Sequence, residues 1–501
     1  MKTMYIHKHA SSRFPWMEGL LLLGACLMQP IPASAQCAGV VTDLASAAAC
    51  TGRLTNSKAL IEVDPAKTYT LDELIDIAES NNPRTRIAWE QAKQAAEKAG
   101  IARSDYYPQL AGFALFGNQK FIVPFPRPYA PHGYTMVENP FTDDGLALSY
   151  TIFDFGRRRA QLETSKAQQL AAAASFQRAN QDVAYTVIVA YYRLITAQER
   201  LEAIRQTLKT AQTTQAAAEA QLANGRSTLP DVLNARAGTA RAEYDLESSL
   251  GDDAAARVQL REVLGAEPSD AIIVKEPSTL PNAQEVSASA QALVEKALTE
   301  RPDLASFAER LKASQQELKA ARASYLPTVD FTGKGSVQSI WPTVSKEYGS
   351  SLADTTQFVW DASLNIHWNF FDGGRRRSET IARASEQREA AEDLREKRDS
   401  VTREAWTAYL QFRTATRQEQ AAETLLKAAT TSYDASLDAY GYGVKNLIDL
   451  VNAQSQLAEA RLAAVQARSA VLTSAANVGY TTGELLRNKP ADASQAAPAH
   501  P

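Results

Sequence analysis

The sequence predicts a mainly α-helical chain with four β-strands, built as two copies of one structural unit. Duplication is the first observation behind this. Ala102 to Pro108 reads ARSDYYP and Ala321 to Pro327 reads ARASYLP, while Phe153 to Arg159 reads FDFGRRR and Phe371 to Arg377 reads FDGGRRR. Both pairs sit about 218 residues apart, and Gly225, Asp231, Asn234 and Ala235 align with Gly443, Asp449, Asn452 and Ala453 at that spacing. A repeat this long means one unit used twice. The second observation is a strand of strict alternation, and the third is a pair of very long helical stretches.

In chain order, Leu71 to Ser80 reads as a short helix and Pro83 to Arg103 as a longer one, with Pro at a first turn where a missing N–H costs little. The second copy repeats this as Ala288 to Thr299 and Pro302 to Ala323. Each longer helix runs into a strand pattern at its Tyr-Tyr-Pro or Tyr-Leu-Pro. The clearest strand is Phe358 to Phe370: Phe358, Trp360, Ala362, Leu364, Ile366, Trp368 and Phe370 alternate with Val359, Asp361, Ser363, Asn365, His367 and Asn369. One face is apolar with aromatic ends and the other mostly polar, the dyad pattern of a membrane barrel strand. Leu146 to Phe153 alternates more weakly, and Leu110 to Gly117 and Leu326 to Ser336 complete four strands in paired positions. Gln119 to Asp143, rich in Pro and aromatics, and Gln338 to Gln357 read as long loops between the strands of each pair.

Long helices follow each arginine triplet, over Arg157 to Ala223 and Arg375 to Tyr440. At 1.5 Å per residue each spans on the order of 100 Å, which requires a coiled-coil-like rod or tube. Turns at Gly225, and at Gly441 with Gly443, reverse the chain into return helices starting near Leu229 and Leu447. In the last helix Leu450, Leu457, Ala464, Val471 and Val478 recur every seven residues beside a row of Ala453, Ala460, Ala467 and Ser474. The first copy keeps the small row as Ala235, Ala242, Ser249 and Ala256. Small residues in one row let helix backbones approach closely.

The ends and the charge bound the function classes. Lys2, Lys8 and Arg13, an apolar run from Leu20 to Met28 and Ala33-Ser34-Ala35 compose a signal peptide, residues 1–35, with cleavage before Gln36. Leu23-Gly24-Ala25-Cys26 offers a rival lipoprotein reading with Cys26 lipidated. The apolar run is shorter than the roughly 20 residues of a spanning helix. Removing the leader takes the formal charge from −4 to about −6, and no basic patch points to nucleic acid. Cys37 and Cys50 remain, an even pair in an exported chain, and are expected to form a disulfide in the N-terminal segment 36–69. The domain plan is then a first repeat over 70–263, a linker over 264–287 with three prolines, a second repeat over 288–487 and a disordered tail over 488–501.

Four strands cannot close a barrel, and open sheet edges do not survive in hydrocarbon, so strands in a membrane force oligomerisation. Dimers give eight strands and trimers twelve. The order helix, two strands, helix, helix, used twice with FDFGRRR and FDGGRRR, resembles the TolC-like outer-membrane efflux protein family over nearly all of the chain after residue 70. The resemblance implies a homotrimer whose twelve-stranded barrel continues into a long α-helical tunnel through the periplasm. It also implies a passive exit duct for efflux or type I secretion, fed by an inner-membrane pump through a periplasmic adaptor. No nucleotide loop, no catalytic Ser/His/Asp order and no metal-spaced histidines among the five present argue for an enzyme, and no cofactor is expected. The rival is an exported coiled-coil structural or adaptor protein of the periplasm.

Two groups of residues carry the site expectations. Arg157, Arg158 and Arg159, with Arg375, Arg376 and Arg377, stand at helix N-termini where the macrodipole disfavours cations. Lying just beneath barrel strands, they are expected to reach outer-membrane lipid phosphates. The second group follows from the resemblance, in which coiled hairpin tips close the tunnel around rings of acidic residues. Tyr440, Gly443, Lys445, Asp449 and Asn452 match that motif, with Gly225 and Asp231 in the first copy. Asp449 fits the first ring; Asn452 departs from the paired aspartates of the family's founding member; Lys445 replaces the arginine that holds the tips closed and lacks its bidentate fork. For Asp231 and Asp449 the rival role is a charge at a helix N-terminus.

Overall fold

The computed structural model describes residues 64–124, 126–127, 132–276, 289–341, 343–344 and 355–485. The leader, Cys26, Cys37, Cys50, most of the first segment, residues 277–287 of the linker, residue 288 and the tail lie outside the described residues. Each helix begins where local chemistry satisfies its orphan N–H groups. Helix α1 (Leu71–Asn81) has a capping box: Thr70 N–H donates to Glu73 at 2.9 Å, and Glu73 N–H to Thr70 Oγ1 at 3.4 Å. Helix α2 (Pro83–Ser104) follows with Asn82 as cap and Pro83 in its first turn. In the second copy α5 (Ala290–Glu300) is capped by Ser289, and Pro302 opens α6 (Pro302–Ala323). All four elements match the expected helices to within two residues.

Four strands form one antiparallel sheet in the order β2 (Gln109–Pro124), β3 (Tyr134–Phe153), β5 (Thr328–Ile340), β7 (Thr355–His367). The short β6 (Thr343–Val344) pairs with β3. The expected loop from Gln119 to Asp143 is instead largely strand, since β2 and β3 pair without a break from Gln109 with Ser149 to Pro124 with Tyr134. Cross-strand side chains explain the extension. Asn118 donates to Glu138 at 2.8 Å, and Phe141 lies so close over Gly117 that a Cβ there would meet its ring at 2.7 Å. Proline and aromatic content disguised this pairing, because register depends on partners across the sheet.

The register sorts the sheet into two faces. Leu110, Leu148, Phe331 and Leu364 share one with Trp360 and Phe358, and exposure is 60% at Leu364, 73% at Trp360 and 67% at Phe358. The other carries Ser149, Thr332 and Ser363 in one rung and Thr151, Asp330 and Asn365 in the next, cross-linked by Thr151 to Asp330 at 2.7 Å and Thr332 to Ser363 at 2.8 Å. Strands β2 and β7 each have a single strand neighbour among the described residues.

Below the sheet run α3 (Arg157–Ala223) and α7 (Arg375–Gly441), each of 67 residues, with return helices α4 (Leu229–Val263) and α8 (Leu447–Thr482). Along the heptad rows of α8, Leu450, Leu457, Val471 and Val478 are buried, and so are Ala453, Ala460, Ala467 and Ser474, while Ala464 is half-buried. Burying one such leucine contributes on the order of 2 kcal/mol. Ala235, Ala242 and Ser249 are buried equivalently on α4, while Ala256 is half-buried. No described helix is long and apolar enough to cross a membrane.

The linker differs from a plain tether. Strand β4 (Ile273–Val274) pairs in parallel with β1 (Thr68–Tyr69), and Leu264, Ile272 and Val274 join a core with Leu74, Val187, Leu194 and Ile195. Arg261 and Arg257 hold its carbonyls at Glu267, Ala271 and Ile272 within 3.0 Å, and the Tyr191 hydroxyl donates to Lys275. Two-residue strands leave no periodicity to read, and the prolines reinforced an irregular reading.

Candidate functional site

Each FDxGRRR segment leads from a strand of the sheet into a long helix, and the structure shows how. Gly156 and Gly374 sit at φ 87° and 88° as the N-caps of α3 and α7, a conformation that favours glycine, and neither has a side chain to cap with. The aspartate two residues earlier does it instead. Asp154 accepts from Gly156 N at 3.2 Å and Arg158 N at 2.8 Å, and Asp372 accepts from Gly374 N and Arg376 N at 3.1 Å each. The same carboxylates bind the middle arginine of each triplet, with Arg158 Nε to Asp154 at 3.0 Å and Arg376 Nε to Asp372 at 2.7 Å. Desolvation works against the Asp372 charge, but the Arg376 guanidinium and backbone N–H groups hold its carboxyl below its ordinary value.

Arg158 also donates to the carbonyls of Asp105 and Ile152 and lies over the Tyr106 ring; Arg376 donates to Ser324 O and lies over Tyr325. These two arginines therefore tie the strand end, the preceding helix and the new helix into one corner, and are not available to lipid. This corrects the expectation for Arg158 and Arg376: their dipole penalty is offset by an adjacent carboxylate, buried at Asp154 and half-buried at Asp372. Arg157 and Arg375 line one groove of about 600 Å³ with Lys98, Glu317 and Arg383. Arg157 also borders a second groove whose sheet residues include Gln109, Ser149, Thr151, Asp330 and Thr332 of the polar face. Arg159 and Arg377 are exposed.

At the far end the two hairpin turns are built alike. Gly225 at φ 71° and Gly443 at φ 76° are the left-handed residues; Arg226 N donates to Gln221 O at 2.8 Å and Val444 N to Ala439 O at 2.9 Å. Gly441, expected in the turn, is the last residue of α7 and has no left-handed φ. The aspartates that follow diverge. Asp231 accepts from Thr228 N at 3.1 Å, Thr228 Oγ1 at 2.7 Å and Ser227 Oγ at 3.2 Å, bonds that hold its carboxyl below the ordinary value. Asp449 uses only its backbone N–H, donated to Asn446 at 2.8 Å, and its exposed carboxylate has no bonded partner among the described residues. Asn in place of Thr as N-cap makes the difference, since the Asn446 side chain spends its acceptor on the Asp449 backbone. Asn452 is exposed one turn further on, and Lys445 Nζ donates to the buried Ser436 at 3.0 Å. Tyr440 is buried between the hairpins with its hydroxyl unbonded.

Two features had no signal in the sequence. Gln221, at the end of α3, donates to Tyr440 O at 3.2 Å and Gly441 O at 2.9 Å, linking the two hairpins of one chain near their tips. Arg301, with 1% of its side chain exposed, binds Asp303 and Glu404 at 2.6 Å each, and Lys397 closes on Asp303 at 2.9 Å. Among the described residues no group of acidic, histidine or cysteine side chains could hold a metal ion. The carboxylate pair Glu392-Asp393 stands on an outer helix turn, Glu392 pairing loosely with Arg395 at 3.6 Å.

An architecture of duplicated strand pairs and helical hairpins matches known proteins throughout. The sequence pattern of the family described as outer membrane efflux protein is met by residues 74–266 and again by residues 293–484. Protein CyaE of Bordetella pertussis is 31% identical over 427 residues, 84% of this chain and 86% of its own length. Outer membrane protein OprJ of Pseudomonas aeruginosa is 26% identical over 441 residues, 87% of this chain and 88% of its own. The crystal structure of a membrane protein from Pseudomonas aeruginosa shares the fold at a TM-score of 0.70 and 22% identity, over 85% of this chain and 95% of that one. With both repeats matched, the chain belongs to the outer membrane efflux protein family and is a channel of the bacterial outer membrane.

Proposed function

We propose that three copies of this chain assemble into a twelve-stranded barrel continuous with a helical tunnel, forming a passive exit duct. It receives cargo from an inner-membrane pump through a periplasmic adaptor. The observation that carries this reading is the pair of open edges, β2 and β7, on a sheet whose one face exposes Trp360, Leu364 and Ile366. Unpaired strand edges cost several kcal/mol per backbone group in hydrocarbon, and only edge-to-edge closure with further copies removes them. Asp449, whose carboxylate has no bonded partner among the described residues and which lies near the tip, is the carboxylate best suited to form a ring of three at the tunnel end. Arg159 and Arg377 are exposed and close in sequence to the aromatic pairs Phe153 with Phe155 and Trp368 with Phe370, which supports a role in reaching lipid phosphates at the inner interface.

Cysteine cross-linking tests the closure. Ala114 on β2 shares the apolar face with Trp360, Ala362 and Leu364 on β7, at the opposite edge of the same sheet. Chains carrying Ala114→Cys with a cysteine at each β7 position in turn should give disulfide-linked dimers and trimers on denaturing gels. Absence of any interchain product at all three positions would contradict the closed barrel.

A further inference from the structure

The polar face of the sheet holds one lysine and two carboxylates within its reach. Lys334 on β5 pairs directly across the sheet with Asp361 on β7 and with Ala147 on β3. Direct opposition would ordinarily give a Lys334–Asp361 pair. The structure shows another choice: Lys334 leans along β3 to bond Asp143 Oδ2, its ammonium 4.8 Å from the centre of the Phe113 ring. Asp143 is buried, whereas Asp361 is exposed. The desolvated carboxylate takes the amine because it has most to lose without one. Gly145 makes this possible, since a Cβ there would stand 2.3 Å from Gly335 O and push β3 off β5 where Asp143 and Lys334 meet. Asp361 is left with no bonded partner among the described residues.

The geometry points to Asp361 as a selectivity-determining residue of the barrel itself, a free carboxylate facing the duct well away from the tip. The inference rests on the trimeric duct, in which three copies of Asp361 stand at one level of the wall. Twelve strands spaced about 4.8 Å and tilted about 40° enclose a radius on the order of 12 Å. The Debye length is about 30 Å at 0.01 M salt and about 3 Å at 1 M. In dilute salt the three charges therefore govern the ion population across the whole section, and in concentrated salt they do not. Asp330, on the same face nearer the helices, is engaged by the Thr151 and Thr328 hydroxyls and adds charge of the same sign.

Reversal potentials in planar bilayers of neutral lipid test this, because the wall charge acts from the side where the dilute salt stands. With 10 mM KCl at the barrel mouth and tenfold more at the tip, Asp361→Asn should lower the K⁺/Cl⁻ permeability ratio about twofold, and Asp361→Lys further. With the gradient reversed, the same variants should shift the ratio less than Asp449→Asn does, and at 1 M salt throughout none should differ from the parent. Asp361 is exposed and unbonded, so both variants are expected to fold. An unchanged ratio for Asp361→Lys with dilute salt at the barrel mouth, in conducting trimers, overturns the role of Asp361 alone. Failure of the parent chain to form trimeric channels overturns the duct and this inference with it.

Discussion

Replacing Asp154 by alanine probes the corner that joins the sheet to the long helix α3. Asp154 is 6% exposed and accepts from two backbone N–H groups at the start of α3 as well as from Arg158 Nε. Loss of the cap costs about 1 kcal/mol. Removing the partner of a buried charge costs about 3–5 kcal/mol, and the low end applies because Arg158, 11% exposed, keeps the carbonyls of Asp105 and Ile152. Together the change should destabilise each protomer by about 3–4 kcal/mol. Asp154→Asn, which can keep one acceptor for the backbone, should cost about half as much. Arg159→Ala, at an exposed arginine, should lie within about 0.5 kcal/mol of the parent. Urea denaturation of detergent-extracted protein, followed by circular dichroism, ranks the three. Asp154→Ala with the same midpoint as Arg159→Ala would refute the corner brace.

Asp449→Asn should lower cation preference when dilute salt bathes the tunnel tip, with assembly intact; unchanged selectivity would make Asp449 a helix-start charge only. Gln221→Ala removes the bonds from α3 to the last carbonyls of α7 and should raise single-channel conductance by loosening the tips, whereas unchanged conductance would confine Gln221 to packing. A pH dependence follows from Asp303. Burial opposes its charge, but hydrogen bonds from Arg301 and Lys397 outweigh it and hold the carboxyl well below the usual range. A depressed folded value contributes stability above the unfolded pKa of about 3.9 and loses it as pH falls further. Denaturation midpoints of the parent should thus fall steeply below about pH 4, and Arg301→Ala should flatten that fall while costing about 3–5 kcal/mol at neutral pH.

The duplication made most of the fold legible, because a feature too weak to assign once could be assigned where its partner repeated it. The long helices, their reversals at Gly225 and Gly443 and the buried heptad row from Leu450 to Val478 follow from spacing alone. Strand ends did not, since the continuation of β2 to Pro124 depends on what lies across from it on β3. The arginine triplets were visible, but the residue that organises them was read only as part of a motif. Asp154 and Asp372 explain why a cation is tolerated at each helix start, and that explanation needs the left-handed glycine which brings the carboxylate back over the first turn. Asp231 and Asp449 look equivalent in sequence and differ in structure because Thr228 and Asn446 spend their side chains differently. Gln221 and Arg301 carried no pattern, as Gln221 acts on carbonyls more than two hundred residues away and Arg301 joins nearby Asp303 to Glu404 more than a hundred residues on.

Native mass spectrometry of the detergent-extracted protein tests most directly whether the open strand edges are closed by assembly of three chains into one barrel. The expected result is a single dominant species of three mature chains, stable to dilution. A folded, membrane-extracted monomer as the dominant species would contradict it.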